Sequence, residues 1–256
     1  MKREVRRYHN LEVLSNAAAK FICSLANECV YESGLFTIVL SGGKTPKTLY
    51  ENLARPSFST RMPWSHIHLF WGDERCVPPD HPDSNFAMAS RALVSKVPVP
   101  PQNVHPIPTT FESPEKVAEN YEEILRKFFD SSVTAKPHPG ARHGGEPFPS
   151  FDLILLGVGR DGHTASLFPG DRALEEERRW VAAVFSPQGT PRVPRITLTL
   201  PVINRARCVL FMASGSEKHE VIRPILGDSG PVRASYPAAR VQPEGRVVWL
   251  IDEEGV

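Results

Sequence analysis

The residues best suited to chemistry lie in a glycine-rich segment near the middle of the chain. Asp161 and His163 stand two positions apart within residues 157–166. An imidazole can accept a proton near neutral pH, and a neighbouring carboxylate can fix its tautomer or orient a substrate. The pair indicates general-base catalysis, whereas a lone histidine in a glycine loop is more often structural. Ser166 is a rival nucleophile, but it lacks the strained GxSxG setting.

The same segment also fits the glycine pattern of dinucleotide-binding loops, at Gly157, Gly159 and Gly162. That pattern calls for an acidic residue at the end of the next strand, about 20 residues further on. Here the acidic residues 175–177 precede the next predicted strand. The sequence therefore disfavours a nicotinamide cofactor.

A second candidate is a phosphate-binding loop that follows the predicted strand 35–40. Two glycines allow a tight turn and a close approach of backbone N–H groups to a ligand, and the N-terminus of the following helix favours an anion. The loop is not a Walker A motif, which would need glycine at Ile38, and a plain strand–turn–helix corner is the alternative. The residues expected to bind the anion are Ser41, Gly42, Gly43, Lys44 and Thr45.

Three more cations stand at predicted strand ends, namely Arg75, Arg195 and Lys218. Arg75 presents a fixed fork suited to phosphate, and Asp73 could bind sugar hydroxyls. Taken alone, three consecutive charged residues at positions 73–75 are more typical of a solvated loop. Cations gathered at one edge of a sheet, Lys44 included, favour a small, multiply charged anion such as a phosphorylated metabolite.

Composition places these groups in an ordinary globular chain. Of its 256 residues, 41% are hydrophobic and 23% charged, which excludes wholesale disorder. A formal charge of +1 creates no field that would attract nucleic acid or an anionic membrane. No run approaches the roughly 18 apolar residues of a spanning helix. The basic N-terminus allows a transit peptide as an alternative, although Glu4 and Glu12 interrupt it.

Metal binding is disfavoured by the cysteine and histidine spacing. The four cysteines form no CxxC pair, which argues against a zinc cluster and for a reducing compartment, so we expect a cytoplasmic protein. His66 and His68 share a face of a predicted strand, but they lack a third ligand.

Strand-like apolar runs alternate with helical periodicity along the chain. The pattern predicts an α/β fold, with a single doubly wound, mainly parallel sheet and helices on both faces (Rossmann-like), as one domain over residues 1–256. Ligands of such sheets bind beyond the carboxyl ends of the strands, where the candidate residues lie except Arg195, which opens the predicted strand 196–200. A segment rich in proline, glycine and histidine at 131–150 is expected to be a surface excursion. Predicted strands are 35–40, 66–71, 151–156, 180–185, 196–200, 208–213 and 247–251, and predicted helices are 11–29, 46–54, 85–94, 216–226 and one that opens at Pro114.

Taken in order, these segments resemble the 6-phosphogluconolactonase family and, more distantly, the glucosamine-6-phosphate isomerase/deaminase family that shares its fold. The matching stretches are 40–46, 71–75 with 84–85, 157–169, 195–197 and 216–218. The resemblance implies hydrolysis of 6-phospho-D-glucono-1,5-lactone to 6-phospho-D-gluconate in the oxidative pentose phosphate pathway, with no cofactor and no metal. It also implies a general base at His163, phosphate ligands in the 41–45 loop, Arg195 and Lys218, and a pocket lined by Arg75 and Asp73.

Two departures separate the relatives. The deaminase pattern has a glutamate where Phe168 stands, and it tends to have an aromatic residue where Arg75 stands. Both differences favour the lactonase over the deaminase. A non-catalytic sugar-phosphate sensor is another alternative, but a sensor would need neither Asp161 nor His163. The expected partner is a small phosphorylated sugar lactone, with no nucleic acid or membrane, and the chain is expected to be a monomer or a weak homo-oligomer.

Overall fold

A seven-stranded, all-parallel sheet forms the centre of the computed structural model, which describes residues 2–110, 113–130, 148–185, 189–227 and 235–252. Its strand order is β1-β10-β9-β6-β2-β3-β5. The strands of the molecule are β1 Lys2–Tyr8, β2 Phe36–Leu40, β3 Ile67–Trp71, β4 Asp73–Arg75, β5 Val104–His105, β6 Leu153–Leu156, β7 Val181–Val184, β8 Arg195–Leu198, β9 Cys208–Ala213 and β10 Arg246–Asp252.

Helices connect the strands of this sheet. The longest, α1, begins after Asn10, whose side chain accepts a hydrogen bond from the Val13 N–H, and ends at Gly34 in a left-handed conformation. The helices are α1 Leu11–Ser33, α2 Lys44–Leu53, α3 Pro56–Ser59, α4 Asn85–Ala92, α5 Pro114–Asp130, α6 Leu200–Asn204 and α7 His219–Leu226, with short 3₁₀ turns between some of them.

The expected parallel α/β fold is confirmed. Strands β2, β6 and β9 are buried along their whole length, as the unbroken apolar runs predicted for strands covered on both faces. Most of the predicted excursion at 131–150 lies outside the described residues, which resume at 148. In the described part of the chain, every helix is too short or too polar to cross a lipid bilayer.

A second, three-stranded antiparallel sheet, in the order β4-β8-β7, was not predicted. Residues 73–75 do not form the solvated loop that their charges alone would indicate, because Asp73 and Glu74 are buried in β4, which pairs with β8. The basic stretch Lys2–Tyr8 forms β1 at one edge of the large sheet, paired with β10. Strands β1 and β4 consist largely of charged residues, so neither shows the apolar pattern by which strands are recognised in a sequence.

Two buried tyrosines hold the ends of neighbouring strands. The Tyr50 hydroxyl, from α2, accepts from the Ser41 N–H and donates to the Ser41 carbonyl, both at 2.8 Å. The Tyr121 hydroxyl, from α5, makes the same pair of bonds to Trp71, both at 3.0 Å. Each phenol hydroxyl pairs with the backbone N–H and carbonyl groups at the end of its strand, and so fixes the point at which the chain leaves the sheet.

Candidate active site

The loops that follow β2, β6 and β9 meet strands β4 and β8 at a cleft of about 400 Å³. This is the edge where ligands of parallel sheets bind, and the volume suits a small metabolite. The structure brings together the residues that the sequence singled out as binding residues or as the base. Those lining the cleft are Ser41, Gly42, Gly43, Lys44, Thr45, Asp73, Arg75, His163, Arg195 and Lys218.

His163 is held by Asp161, the remaining candidate. Its Nδ1 lies 2.5 Å from Asp161 Oδ1, and its backbone N–H donates to the same oxygen at 3.1 Å. Burial alone would raise the pKa of Asp161, but the hydrogen bonds from His163 outweigh burial and bring the pKa below its ordinary value. An ionised carboxylate only accepts hydrogen bonds, so Nδ1 carries a proton, and in the neutral form of the ring the lone pair is therefore on Nε2. This is the arrangement a general base requires.

Two glycines in the site are required by close approach. A Cβ atom on Gly159 would lie 2.0 Å from His163 Nδ1, and a Cβ atom on Gly42 would lie 1.9 Å from Asn85 Oδ1. Any side chain at either position would displace the imidazole or the amide. The glycines of both sequence motifs therefore make room for particular side chains of the site.

Arg75 and Arg195 both line the cleft. They are directly opposed across β4 and β8. Arg75 Nη1 donates to the Asp83 carbonyl at 2.6 Å, and Arg195 Nη2 donates to the Thr190 carbonyl at 2.8 Å. Within the described residues, the buried Nε atoms of both arginines have no hydrogen-bond partner.

Burial lowers the pKa of Arg195, and the charge of Arg75 lowers it further. Two like charges that line one cleft are suited to a doubly charged anion.

Lys218, in the turn after β9, adds a further cation to the cleft. Its Nζ donates to the Val158 carbonyl at 2.6 Å and so ties the turn after β9 to the loop that carries His163. Burial lowers the pKa of this ammonium, against the opposing effect of Glu217. Lys44, by contrast, is exposed at the start of α2.

Beneath the cleft, a buried polar network joins segments that are distant in sequence. The Asp73 carboxylate accepts from Ser166 Oγ at 2.7 Å and from Asn85 Nδ2 at 3.3 Å. Ser166 is completely buried, so it is not placed to attack a substrate. Glu74 accepts from the backbone N–H groups of Asn85 and Phe86 at the N-terminus of α4, at 2.8 and 2.7 Å.

Sequence reasoning missed several members of the site. Asn85 was noted only within a matching stretch, although its amide buttresses both Gly42 and Asp73. Asp252, at the end of β10, was not singled out. It accepts hydrogen bonds from the Ser214 hydroxyl and the Gly215 N–H, and so anchors the loop after β9. No local signal marks a buried aspartate at the end of a strand as part of a distant site.

The histidines considered as metal ligands lie elsewhere. His68 Nδ1 is 3.2 Å from His105 Nε2, and the two rings lie among Phe70 and Phe128, outside the lining of the cleft. His66 is exposed. Across the described ranges, no three histidine, cysteine, aspartate or glutamate side chains are grouped closely enough to hold a metal ion.

Comparison with known proteins gives a consistent family. Residues 9–249 match the family model described as glucosamine-6-phosphate isomerases/6-phosphogluconolactonase. A 6-phosphogluconolactonase of Synechocystis sp. is 43% identical over 96% of this chain and 93% of the relative, and one of Nostoc sp. is 40% identical over 98% and 96%. The crystal structure of 6-phosphogluconolactonase from Leishmania guyanensis aligns with a TM-score of 0.85 at 31% identity, covering 100% of this chain and 98% of that one. The chain therefore belongs to the glucosamine-6-phosphate isomerase/6-phosphogluconolactonase family.

Proposed function

We infer that this chain is a hydrolase acting on 6-phospho-D-glucono-1,5-lactone, releasing 6-phospho-D-gluconate, with His163 as the general base. One observation carries the inference. A single cleft holds an imidazole oriented by Asp161 and a pair of opposed arginines, Arg75 and Arg195. The names of the relatives at 43% and 40% identity support the same reaction.

Ester hydrolysis follows from these groups in two steps. Nε2 of His163 takes a proton from water as the water oxygen attacks C1 of the lactone, and the C1 carbonyl oxygen becomes an oxyanion. The C1–ring oxygen bond then breaks, and the imidazolium returns the proton to the leaving ring oxygen. A positioned base contributes about 10²–10⁴-fold to such a reaction. Asp161 keeps the proton on Nδ1 and stabilises the imidazolium that forms between the two steps.

The oxyanion requires donors near C1. We assign this role to the backbone N–H groups of Gly42 and Gly43, which line the cleft and have no hydrogen-bond partner among the described residues. Removing one oxyanion donor typically costs about 10²–10³-fold in rate.

The phosphate is assigned to Arg195, Arg75 and Lys218, with the 41–45 loop beside them. Binding the phosphate at a distance from C1 orients the ring without taking part in the bond changes. Asp73 is assigned to a sugar hydroxyl, since a carboxylate holds more lone pairs than its bonds to Ser166 and Asn85 use.

The cellular setting and assembly state are proposed on sequence and packing. All four cysteines are free thiols, which suits a reducing compartment such as the cytoplasm. The described residues share one contiguous apolar core, which supports a single domain. A monomer or weak homo-oligomer, acting on a free metabolite without nucleic acid or membrane, fits this interpretation.

The test is lactone hydrolysis above the spontaneous rate. The lactone is generated in situ, and acid release is followed for the wild type, His163→Ala and the control His66→Ala, which removes an exposed histidine. We expect a loss of about 10²–10⁴-fold in kcat for His163→Ala and none for His66→Ala. Equal rates for the wild type and His163→Ala would remove the proposed base. Release of ammonia from glucosamine 6-phosphate would establish the deaminase instead, and product binding without turnover would establish a sensor.

A further inference from the structure

We propose that Phe168 is a positioning residue that fixes the general base relative to the anion-binding arginine. The centroid of its ring lies 4.6 Å from that of His163, with the two planes tilted by 35°. Arg195 Cζ lies 5.5 Å from the same centroid. One side chain, itself only 2% exposed, thus contacts both functional groups. This inference rests on the function proposed above.

The ring of Phe168 has a fixed position because hydrogen bonds hold the residues before it, and its own carbonyl accepts from the Asp171 N–H at 3.1 Å. The Leu167 N–H donates to the Thr164 carbonyl at 2.9 Å, which closes a tight turn. Two residues before Phe168, Ser166 is bonded to Asp73 beneath the cleft. A buried phenylalanine in a close-packed setting keeps one rotamer, so its face is a rigid surface.

His163 needs a second restraint besides Asp161. A single hydrogen bond at Nδ1 fixes one atom of the imidazole and leaves the ring free to swing about that contact. The ring of Phe168 removes this freedom, because a buried aromatic neighbour in contact, tilted by 35°, restricts the movement of the imidazole. Nε2 is then held at one position relative to C1 of the substrate.

The same ring stabilises the charge of Arg195. A buried guanidinium needs a compensating interaction, yet a carboxylate partner would occupy the N–H groups and cancel the charge that should bind phosphate. An aromatic face attracts the cation without consuming a donor. Phe168 therefore supports Arg195 without occupying any of its N–H groups.

A shared support makes the two groups interdependent. The distance between base and arginine must match the distance between C1 and the phosphate in the substrate, and a misplacement of about 1 Å can cost about 10²-fold in rate. Losing the ring should therefore change kcat through His163 and KM through Arg195 together. A residue that only fills the core would change stability alone.

The test uses two substitutions of the same kind. Phe168→Leu removes the ring, and Phe151→Leu makes the same change at a fully buried phenylalanine whose ring packs against Phe70 and Phe129. Both variants should lose thermal stability. We expect Phe168→Leu to lower kcat about tenfold and raise KM about three- to tenfold, with Phe151→Leu within about twofold of the wild type. Phe168→Tyr, which keeps the ring, should restore most of the activity, and Phe168→Met replaces the leucine variant if that does not fold.

A double-mutant cycle separates positioning from general destabilisation. In an Arg195→Ala background, Phe168→Leu should no longer raise KM, whereas independent effects would multiply. Binding of inorganic phosphate, measured by calorimetry, should weaken in Phe168→Leu but not in Phe151→Leu. This second measurement remains informative even if the wild type fails to hydrolyse the lactone. Unchanged kcat, KM and phosphate binding in a folded Phe168→Leu or Phe168→Met protein would overturn the proposal.

Discussion

Arg75 and Arg195 face each other across β4 and β8 as a directly opposed pair of like charges. Such a pair is unfavourable in the free protein, and burial adds to the cost at Arg195, which is 4% exposed. A dianionic ligand in the cleft would remove the repulsion. In the proposed function, the arrangement therefore sacrifices stability of the empty site in favour of affinity for phosphate.

Arg195→Ala should therefore act mainly on binding. Loss of a charge-assisted contact worth about 1.5–3 kcal/mol predicts a rise in KM of roughly 10- to 100-fold, with kcat changed little. Steady-state kinetics on the lactone checks this. Arg192→Ala, which removes an exposed arginine of the same segment, is the control and should leave KM unchanged. A fall in kcat at constant KM would assign Arg195 to the chemical step instead.

Asp161→Asn tests the orientation of the base. The amide keeps the size of the side chain but removes the charge that fixes the proton on Nδ1 and stabilises the imidazolium. We expect kcat to fall by about 10²-fold or more, within the range a positioned base contributes, and KM to change little. Because the pKa of Asp161 lies below the ordinary value of an aspartate, its carboxylate stays ionised at pH values where a free aspartate would already be protonated. A variant with wild-type kcat would show that His163 needs no carboxylate.

Ser166→Ala distinguishes direct hydrolysis from a covalent route. Loss of one hydrogen bond to Asp73 should reduce kcat/KM by no more than about tenfold. Removal of a catalytic nucleophile would cost about 10³-fold or more, and would abolish any burst of product. Rapid-mix kinetics on the wild type and the variant decide between the two outcomes.

Tyr50→Phe and Tyr121→Phe form a matched pair. Each loses two hydrogen bonds at the end of a strand, so each should lose about 1–3 kcal/mol of unfolding free energy. Only Tyr50 holds Ser41, the first residue of the anion loop. We expect KM to rise about threefold or more in Tyr50→Phe alone, because the loop loses its anchor. Equal kinetics in the two variants would show that the loop is held by other contacts.

His105 should make stability depend on pH. Burial lowers its pKa from 6.5 to about 4, so between these values the unfolded chain binds a proton that the folded protein does not. The free energy of unfolding should therefore be greatest above about pH 6.5 and decline as the pH falls towards about 4. The decline should be on the order of 2 kcal/mol, after allowance for the partial exposure of His105. Urea unfolding at several pH values measures the slope. His105→Gln should flatten it, whereas His66→Gln, at an exposed position, should not.

The sequence alone identified much of the site because its signals are local. Glycine-rich turns after unbroken apolar runs marked the loops at 41–45 and 157–166 as strand ends, and parallel strands bring such ends to one edge. The pair Asp161 and His163 was recognisable for the same reason, since two residues of separation is enough for the hydrogen bond that the structure shows.

Tertiary structure decided what depends on pairing between distant segments. The charged run 73–75 has the local pattern of a loop, and only its pairing with β8 makes it a buried strand that opposes Arg75 to Arg195. Asn85 and Asp252 have no marked local pattern, yet they hold Asp73 and the loop after β9 from elsewhere in the chain. Local periodicity in the sequence indicates which face of a helix or strand is buried. The hydrogen-bond partner of a buried charge comes from a distant segment, and is therefore determined only by the tertiary fold.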